Sequence, residues 1–289
     1  MKRSLLCACL LLAAAGGFGQ DWHIGVFGGI SSYSGDLSDK FIQGHQQSRG
    51  AVGVTLNYDY SEHLSFRAGY THAGVSANDK FSTNAEHLKR NLSFFSALDE
   101  FSLIGEYYPI SLRDQRYSPY FFAGLAVFHF NPYTYDTTGR KYYLKPLSTE
   151  GEGLPQYPGV KPYNLTQLAI PFGAGIKFVL SDRVRLGLEF GVRKLFTDYL
   201  DDVSGNYADP ADLLAARGPK AVELSYRGGE VPGGDPTYPD KGKQRGSAKK
   251  DWYYIGGLHL TYSLGTGGGG GGLNLFRSLR GTGCPANPQ

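Results

Sequence analysis

Few residues in this chain of 289 have the type and spacing to do chemistry. His63 and Ser65 stand one residue apart, as a general base beside a hydroxyl nucleophile would for acyl transfer. Asp198, Asp201 and Asp202 offer the hard oxygen ligands that Ca²⁺ takes. Their spacing matches no calcium loop, and a hydrogen-bonded cap on a strand exit accounts for the same three residues. Cys284 is the one cysteine left once Cys7 and Cys9 leave with a leader, so no intrachain disulfide can form. It is either a reactive or intermolecular thiol, or an inert tail residue. No glycine loop runs into a Lys-Ser or Lys-Thr pair, no HExxH occurs and no Cys cluster exists, so neither a cofactor nor a metal is expected. A last set is four acids and four bases: Asp59, Arg67, Glu100, Glu106, Lys177, Arg185, Glu189 and Arg193. What these can do depends on whether the fold puts them in one space.

The elements that must position them are strands. Gly occurs 41 times and Tyr 21 times, aromatics are 14% and charged residues 19%. Such a composition displaces the helix formers and suits antiparallel strands with tight bends. Mean hydropathy is −0.30, so no apolar helix spans a bilayer, whereas a spanning barrel spreads its apolar residues over alternate positions. Period-2 alternation dominates after residue 20. Val52, Val54, Leu56, Tyr58 and Tyr60 oppose Gly53, Thr55, Asn57 and Asp59. The run from His63, and the segments 170–180, 184–192 and 252–264, repeat the pattern. The runs 22–30, 93–108 and 119–130 are less regular but rich in Phe, Tyr and Gly. The expected architecture is all-β, an eight-stranded antiparallel up-and-down transmembrane β-barrel.

Connections between these segments alternate long and short. Ser61-Glu62 and Ser181-Asp182 read as two-residue hairpin connections, and Arg113 to Tyr117 lies in one of middle length. In a meander, alternate connections fall on opposite ends, so every long loop lies at one end. Short periplasmic turns with long external loops are the bacterial outer-membrane arrangement. On the apolar face, Tyr58, Tyr60, Tyr107, Tyr120 and Tyr262 are expected near the short turns, and Trp252, Tyr254 and Phe130 near the long loops, as two interfacial belts. The eight charges fall on the opposite, inward face. Isolated charges there would cost several kcal/mol each, so they must pair, which argues for a plugged interior; an ion or proton path is the alternative.

Lys2 and Arg3, the apolar run Leu5 to Ala15 and the small residues Gly16 to Gln20 read as a secretory leader over 1–20. A lipoprotein anchor at Cys7 or Cys9 fails, because too few apolar residues precede either. The chain's net charge of +3 falls to +1 without Lys2 and Arg3, which gives no footprint for nucleic acid. The barrel with its loops then covers 21–264, and 265–289 is a Gly-rich linker and periplasmic tail. Two loops stand out, Asn131 to Leu168 and Lys194 to Lys250. In the second, a short helix is expected at Pro210 to Ala216, and the Gly-, Pro- and Lys-dense stretch Arg227 to Gly246 is expected to bury no core and to be mobile. Because it follows a short turn, the His63/Ser65 pair sits at the end opposite the long loops. That is the wrong end for the barrel lipid A deacylases it resembles, which leaves chance pairing.

Several motifs resemble one family. Phe196-Thr197-Asp198-Tyr199-Leu200-Asp201-Asp202-Val203-Ser204 resembles the signature of PorG-like outer-membrane barrels of the type IX secretion system. Arg90-Asn91-Leu92-Ser93-Phe94 with Ser96 and Glu100, Tyr33-Ser34-Gly35-Asp36-Leu37, Glu106-Tyr107 and Cys284-Pro285 are similar to further segments of it. The resemblance implies a non-enzymatic barrel held by outer-membrane lipid. It would serve protein export and gliding machinery through a periplasmic ring of a lipoprotein and its partner subunit. The candidate contact residues are Asp198, Tyr199, Asp201 and Asp202 in the loop motif, with Phe276 and Cys284 in the tail. The Gly run and the Gly-Pro-Lys insert are longer than in the family's common pattern. A stand-alone structural or adhesive barrel is the alternative.

Overall fold

The computed structural model describes residues 22–38, 47–247 and 249–265. The leader, the Gly run from Gly267, and Phe276 and Cys284 lie outside the described residues. Eight long strands build the wall: β1 (Trp22–Ser34), β2 (Arg49–Asp59), β3 (Leu64–Asn78), β4 (Ser93–Tyr107), β5 (Tyr117–Phe130), β8 (Thr166–Val179), β9 (Val184–Leu195) and β10 (Trp252–Ser263). Each pairs antiparallel with the next, β1 pairs with β10, and β3 pairs back onto β4, so the sheet closes into a barrel. Closure leaves no wall strand with an unpaired edge. Two short strands, β6 (Tyr133–Tyr135) and β7 (Lys141–Tyr143), form a hairpin in the loop after β5, hung from β4 by the Phe95–Tyr133 pairing.

The short connections are 60–63, 108–116 and 180–183, all at one end. The first and last are thus four-residue turns rather than the two-residue ones expected: Ser61 N–H bonds the Leu64 carbonyl at 3.0 Å, and the Ser61 hydroxyl accepts from the Leu64 amide at 3.1 Å. Such a self-capped turn needs neither Asn nor Gly in it. At the other end, β1, β3 and β8 run longer than the sequence pattern suggests, carrying the wall beyond the apolar band.

Alternation sets the two faces. Ile24, Val52, Phe101, Leu103, Leu125, Leu188 and Leu258 point outward and are exposed. Leu103 and Leu125, directly paired across β4 and β5, are each 69% exposed, so the wall presents a continuous apolar surface. The seam between β1 and β10 is closed by glycines on the inner face, where Gly29 opposes Gly257. A Cβ at Gly29 would lie 2.2 Å from the Gly256 carbonyl oxygen, so no side chain fits. Two aromatic positions differ from expectation. Tyr120 and Phe130 point inward and are fully buried, because β5 places Phe121, Leu125 and Val127 outward. Tyr254 faces outward but is 4% exposed, stacked on Phe190 with ring planes 9° apart.

The long loops pack into a folded cap. One apolar cluster joins barrel-mouth residues Tyr33, Phe94, Phe128 and Phe130 to loop residues Leu144, Tyr163, Leu200, Val203 and Leu224. A second, around Leu154, Leu213 and Ala221, is built on the helices α2 (Pro210–Arg217) and α3 (Pro219–Ser225), both begun by proline. A short helix α1 (Ala85–Arg90) precedes β4; Asn91 ends it at φ 55°, a left-handed position that Asn tolerates. The expectation that 227–246 buries nothing does not hold: Arg227 and Arg245 are buried, and Tyr238 packs on the second cluster. Local composition could not register partners that come from other loops.

Candidate functional site

Inside the barrel, inward positions of all eight wall strands converge on one ion-paired column. Near the short turns, Asp59 takes Arg185 at 2.8 Å, His23 at 2.9 Å and the Ser65 hydroxyl at 2.6 Å. At the next level, Lys177 Nζ lies 2.9 Å from Glu106, which also accepts from the Tyr108 hydroxyl. Arg67 spans two acids, 2.7 Å from Glu189 and 3.1 Å from Glu106; the second contact is an ion pair out of line for a hydrogen bond. Tyr120 donates to Glu189 at 2.6 Å. Toward the cap, Arg193 pairs with Glu100 at 3.2 Å, and Tyr253 donates to the same carboxylate. His259 bonds Thr55 at 2.7 Å in the middle of the column. The cavity left beside Arg67, Glu100, Glu189 and Arg193 measures about 20 Å³, room for about one water. Buried charges are tolerated here because each has a counter-charge and further donors.

Above the column, the cap holds a second polar centre. The Phe196–Ser204 stretch turns inward, and Asp202 takes φ 65° at its tightest point. Asp202 accepts from the hydroxyls of Thr149 and Tyr163, both at 2.6 Å. Asp201 and Asp251 both draw on the single hydroxyl of Tyr33, the second at 3.1 Å, while accepting the amides of Val203 and Leu200. Asp198 accepts from the Ser204 hydroxyl at 2.7 Å and leaves its Oδ1 buried without a partner. Glu150 holds the Ser204 and Gly205 amides and Arg245 Nη1 at 3.0 Å. Arg90, from another quoted motif, is locked on Asp79 and donates to the Asp36 and Arg245 carbonyls.

Carboxylates in this centre outnumber the cations that reach them. Burial pushes Glu152 up to about 8, with Asp202 and Glu150 adding repulsion. Asp198 rises to about 7 and Asp202 to about 6, again through burial first. Burial also lifts Asp201 and Asp251 well above the carboxylate range. These groups therefore keep their protons to higher pH than solvated carboxyls do.

The sequence candidates distribute as follows. The eight charges all lie in the interior column. Asp198, Asp201 and Asp202 are brought together but are buried, so these carboxylates knot the loops; of the motif, Phe196 is exposed and Tyr199 and Ser204 are half-buried. Their carboxylates bond to different loops, and among the described residues no three acids, histidines or cysteines converge as metal ligands. His63 bonds the Tyr108 carbonyl at 2.7 Å while Ser65 serves Asp59, so base and nucleophile are not joined. Sequence reasoning gave no role to Tyr253 and His259, although their inward parity on β10 was readable. It missed Tyr108, Glu150, Glu152 and Arg245, whose partners lie far along the chain.

Comparisons with known proteins bear on the family and on the barrel. A family model described as "Domain of unknown function (DUF6089)" matches residues 2–151. No curated protein matches the chain. Among solved structures, Neisserial surface protein A is 8% identical, with 84% of this chain and 96% of that one aligned at a TM-score of 0.42. A major outer membrane protein from Thermus thermophilus is 14% identical over 83% of this chain and 98% of its own, at 0.41. The outer membrane protein OprG from Pseudomonas aeruginosa is 11% identical over 84% and 97%, at 0.39. At these identities the likeness is confined to the barrel fold.

Proposed function

The chain belongs to the family described as Domain of unknown function (DUF6089), and we propose that it is a closed, non-enzymatic anchor in the outer membrane serving the type IX protein secretion machinery as an assembly component. The observation that supports the anchor reading is the occupied interior: ion pairs cross the lumen at several levels, and the cavity beside Arg67, Glu100, Glu189 and Arg193 holds only about 20 Å³, which leaves little room for a folded or extended substrate. Membrane residence is supported by the apolar outer wall, since hydrocarbon accepts exposed Leu, Ile, Val and Phe and a closed sheet satisfies its own backbone. In the proposed orientation the long-loop cap faces outward and the short turns face the periplasm. The secretion role rests on the motif resemblance. It assigns the periplasmic contact to a ring lipoprotein and its partner subunit, with Phe276 and Cys284 as candidate contacts.

The test is affinity purification of tagged protein from mildly solubilised outer membranes, full-length against a version ending at Leu264. Co-purification of a large periplasmic assembly, lost on truncation, is expected. Retention by both versions would move the contact to the short turns. Recovery of the barrel alone, under conditions that preserve other envelope complexes, would favour a stand-alone structural or adhesive barrel, a reading to which the folded outer cap lends itself.

A further inference from the structure

We propose that the outward face of the β6–β7 hairpin is a seat for the anionic, phosphate-bearing headgroup of an outer-leaflet lipid. The sheet itself carries the wall up to this face. β4 pairs with β5 from Tyr107 to Leu98, and above that level β6 takes the place of β5 through the Phe95–Tyr133 pairing. Phe95 shares its side of β4 with the exposed Phe101 and Leu103. Tyr133 opposes Tyr143 and Tyr135 opposes Lys141, so all four continue that side. The other side of the hairpin, with Thr134 and Tyr142, is turned to the cap. Phe95 stands twelve residues above Tyr107 on β4, about 40 Å along a strand that rises about 3.3 Å per residue. With a strand tilt of about 40°, that is about 30 Å along the membrane normal, against an apolar band about 25 Å tall. The hairpin face therefore lies just above the hydrocarbon, at the level of the headgroups.

The face is aromatic and cationic. Phe95 and Tyr133 stack with ring centroids 5.8 Å apart, and Tyr135 and Tyr143 meet Tyr133 edge-on. Lys141 Nζ lies 3.6 Å from the Tyr133 centroid and 4.6 Å from that of Tyr143. From β2, Arg49 lies against Gly74, where a Cβ would come within 3.0 Å of it, and holds its guanidinium 4.9 Å from the Phe95 centroid. Its Nε is bonded to the Ser76 hydroxyl at 3.0 Å. Both cations are exposed, and neither has an ion-pair partner among the described residues. A ring supports each charge from one side and leaves its remaining donors open on the other.

No acid among the described residues offsets these charges on that face. Asp136, in the hairpin turn, is 6% exposed and paired with Lys220 at 2.9 Å, which also holds Glu223 from the cap side. The nearest carboxylate on the outward side of β4 is Asp99, bonded by Tyr70 at 2.6 Å and His72 at 2.8 Å. It lies four residues below Phe95, about 13 Å along the strand, beyond a screening length of about 8–10 Å. Two uncompensated cations select an anion, and their guanidinium and ammonium donors suit phosphate oxygens. Continuity with the apolar wall makes a lipid the source, with its chains along the wall and its headgroup at the hairpin. The seat rests on the membrane placement proposed above and not on a secretion partner.

The experiment is native mass spectrometry of the full chain released from detergent micelles doped with phosphatidic acid, or with phosphatidylcholine of the same acyl chains. Phosphatidic acid adducts are expected to outnumber phosphatidylcholine adducts at least about tenfold. Arg49→Gln/Lys141→Gln should remove that preference, and Lys243→Gln, an exposed lysine elsewhere in the cap, should keep it. Limited proteolysis of the cap verifies that each variant is folded. No preference in the wild type, a preference that survives in the double variant, or an equal loss in the control overturns the proposal. Equal capture of water-soluble glycerol phosphate would make the occupant a free phosphate and overturn the lipid source. Reconstitution into phosphatidylcholine vesicles separates the two readings. A chain that inserts but shows no preference removes the seat alone, and one that does not insert removes the membrane placement with it.

Discussion

At the level of single side chains, two polar centres obey opposite electrostatics. In the barrel column acids and bases are matched, and removing one member strands its partner. Glu106→Gln takes from Lys177 the carboxylate 2.9 Å away, and destabilisation of about 3 kcal/mol is predicted from urea unfolding in lipid vesicles. Glu106→Gln/Lys177→Met should recover part of that loss, because no charge is then left unpaired. In the cap, acids are in excess. Glu152, ordinarily at 4.5, sits at about 8 in the folded protein, so the folded cap favours its protonated form. Its contribution is complete at low pH and is lost as pH rises through about 8, and Asp198 follows the same sign at about 7. Protease cleavage of the loops 131–165 and 196–251 should therefore accelerate as pH rises from about 4.5 to about 8 and level off above that. Glu152→Gln should flatten that dependence and strengthen the cap at the alkaline end, by about 2 kcal/mol or more.

At the level of elements, the wall was legible in the sequence and the cap was not, for a physical reason. A strand whose two faces meet apolar surroundings and a polar lumen must alternate, so Val52 to Asp59 announces both its structure and its orientation. The parity that sends Leu186 and Leu188 outward sends Arg185 and Glu189 inward, which is why the column could be read residue by residue. Where aromatics occupy both faces, as in β5, parity is ambiguous, and Tyr120 and Phe130 came out on the other side. The cap is held by contacts such as Tyr33 to Asp201 and Arg245 to Glu150, which join segments far apart in sequence and carry no period. The motif Thr197 to Ser204 was visible as unusual, but its burial was not. One element is unforgiving at its seam. Gly29→Val would drive a side chain into the Gly256 carbonyl across β1 and β10. Failure of barrel closure is predicted, seen as loss of the heat-dependent shift in electrophoretic mobility that folded barrels show, whereas the outward Gly28, with open space at its Cβ, should accept Ala.

The whole molecule is an apolar-walled cylinder with a filled lumen and one decorated end. Its wall suits a membrane, its column of ion pairs occupies the lumen, and its cap adds a folded surface at the long-loop end. The proposed anchoring role builds on that combination, and the proposed secretion role would put a partner at the undecorated end. The central claim, a closed barrel, is tested most directly by single-channel recording of the purified full chain in planar bilayers. The account predicts a silent bilayer after verified insertion, at neutral pH and across applied voltages. Reproducible, stepwise conductance from the inserted wild-type protein would contradict it, because ions would then be crossing a column that the Arg67, Glu106, Lys177 and Glu189 pairings fill.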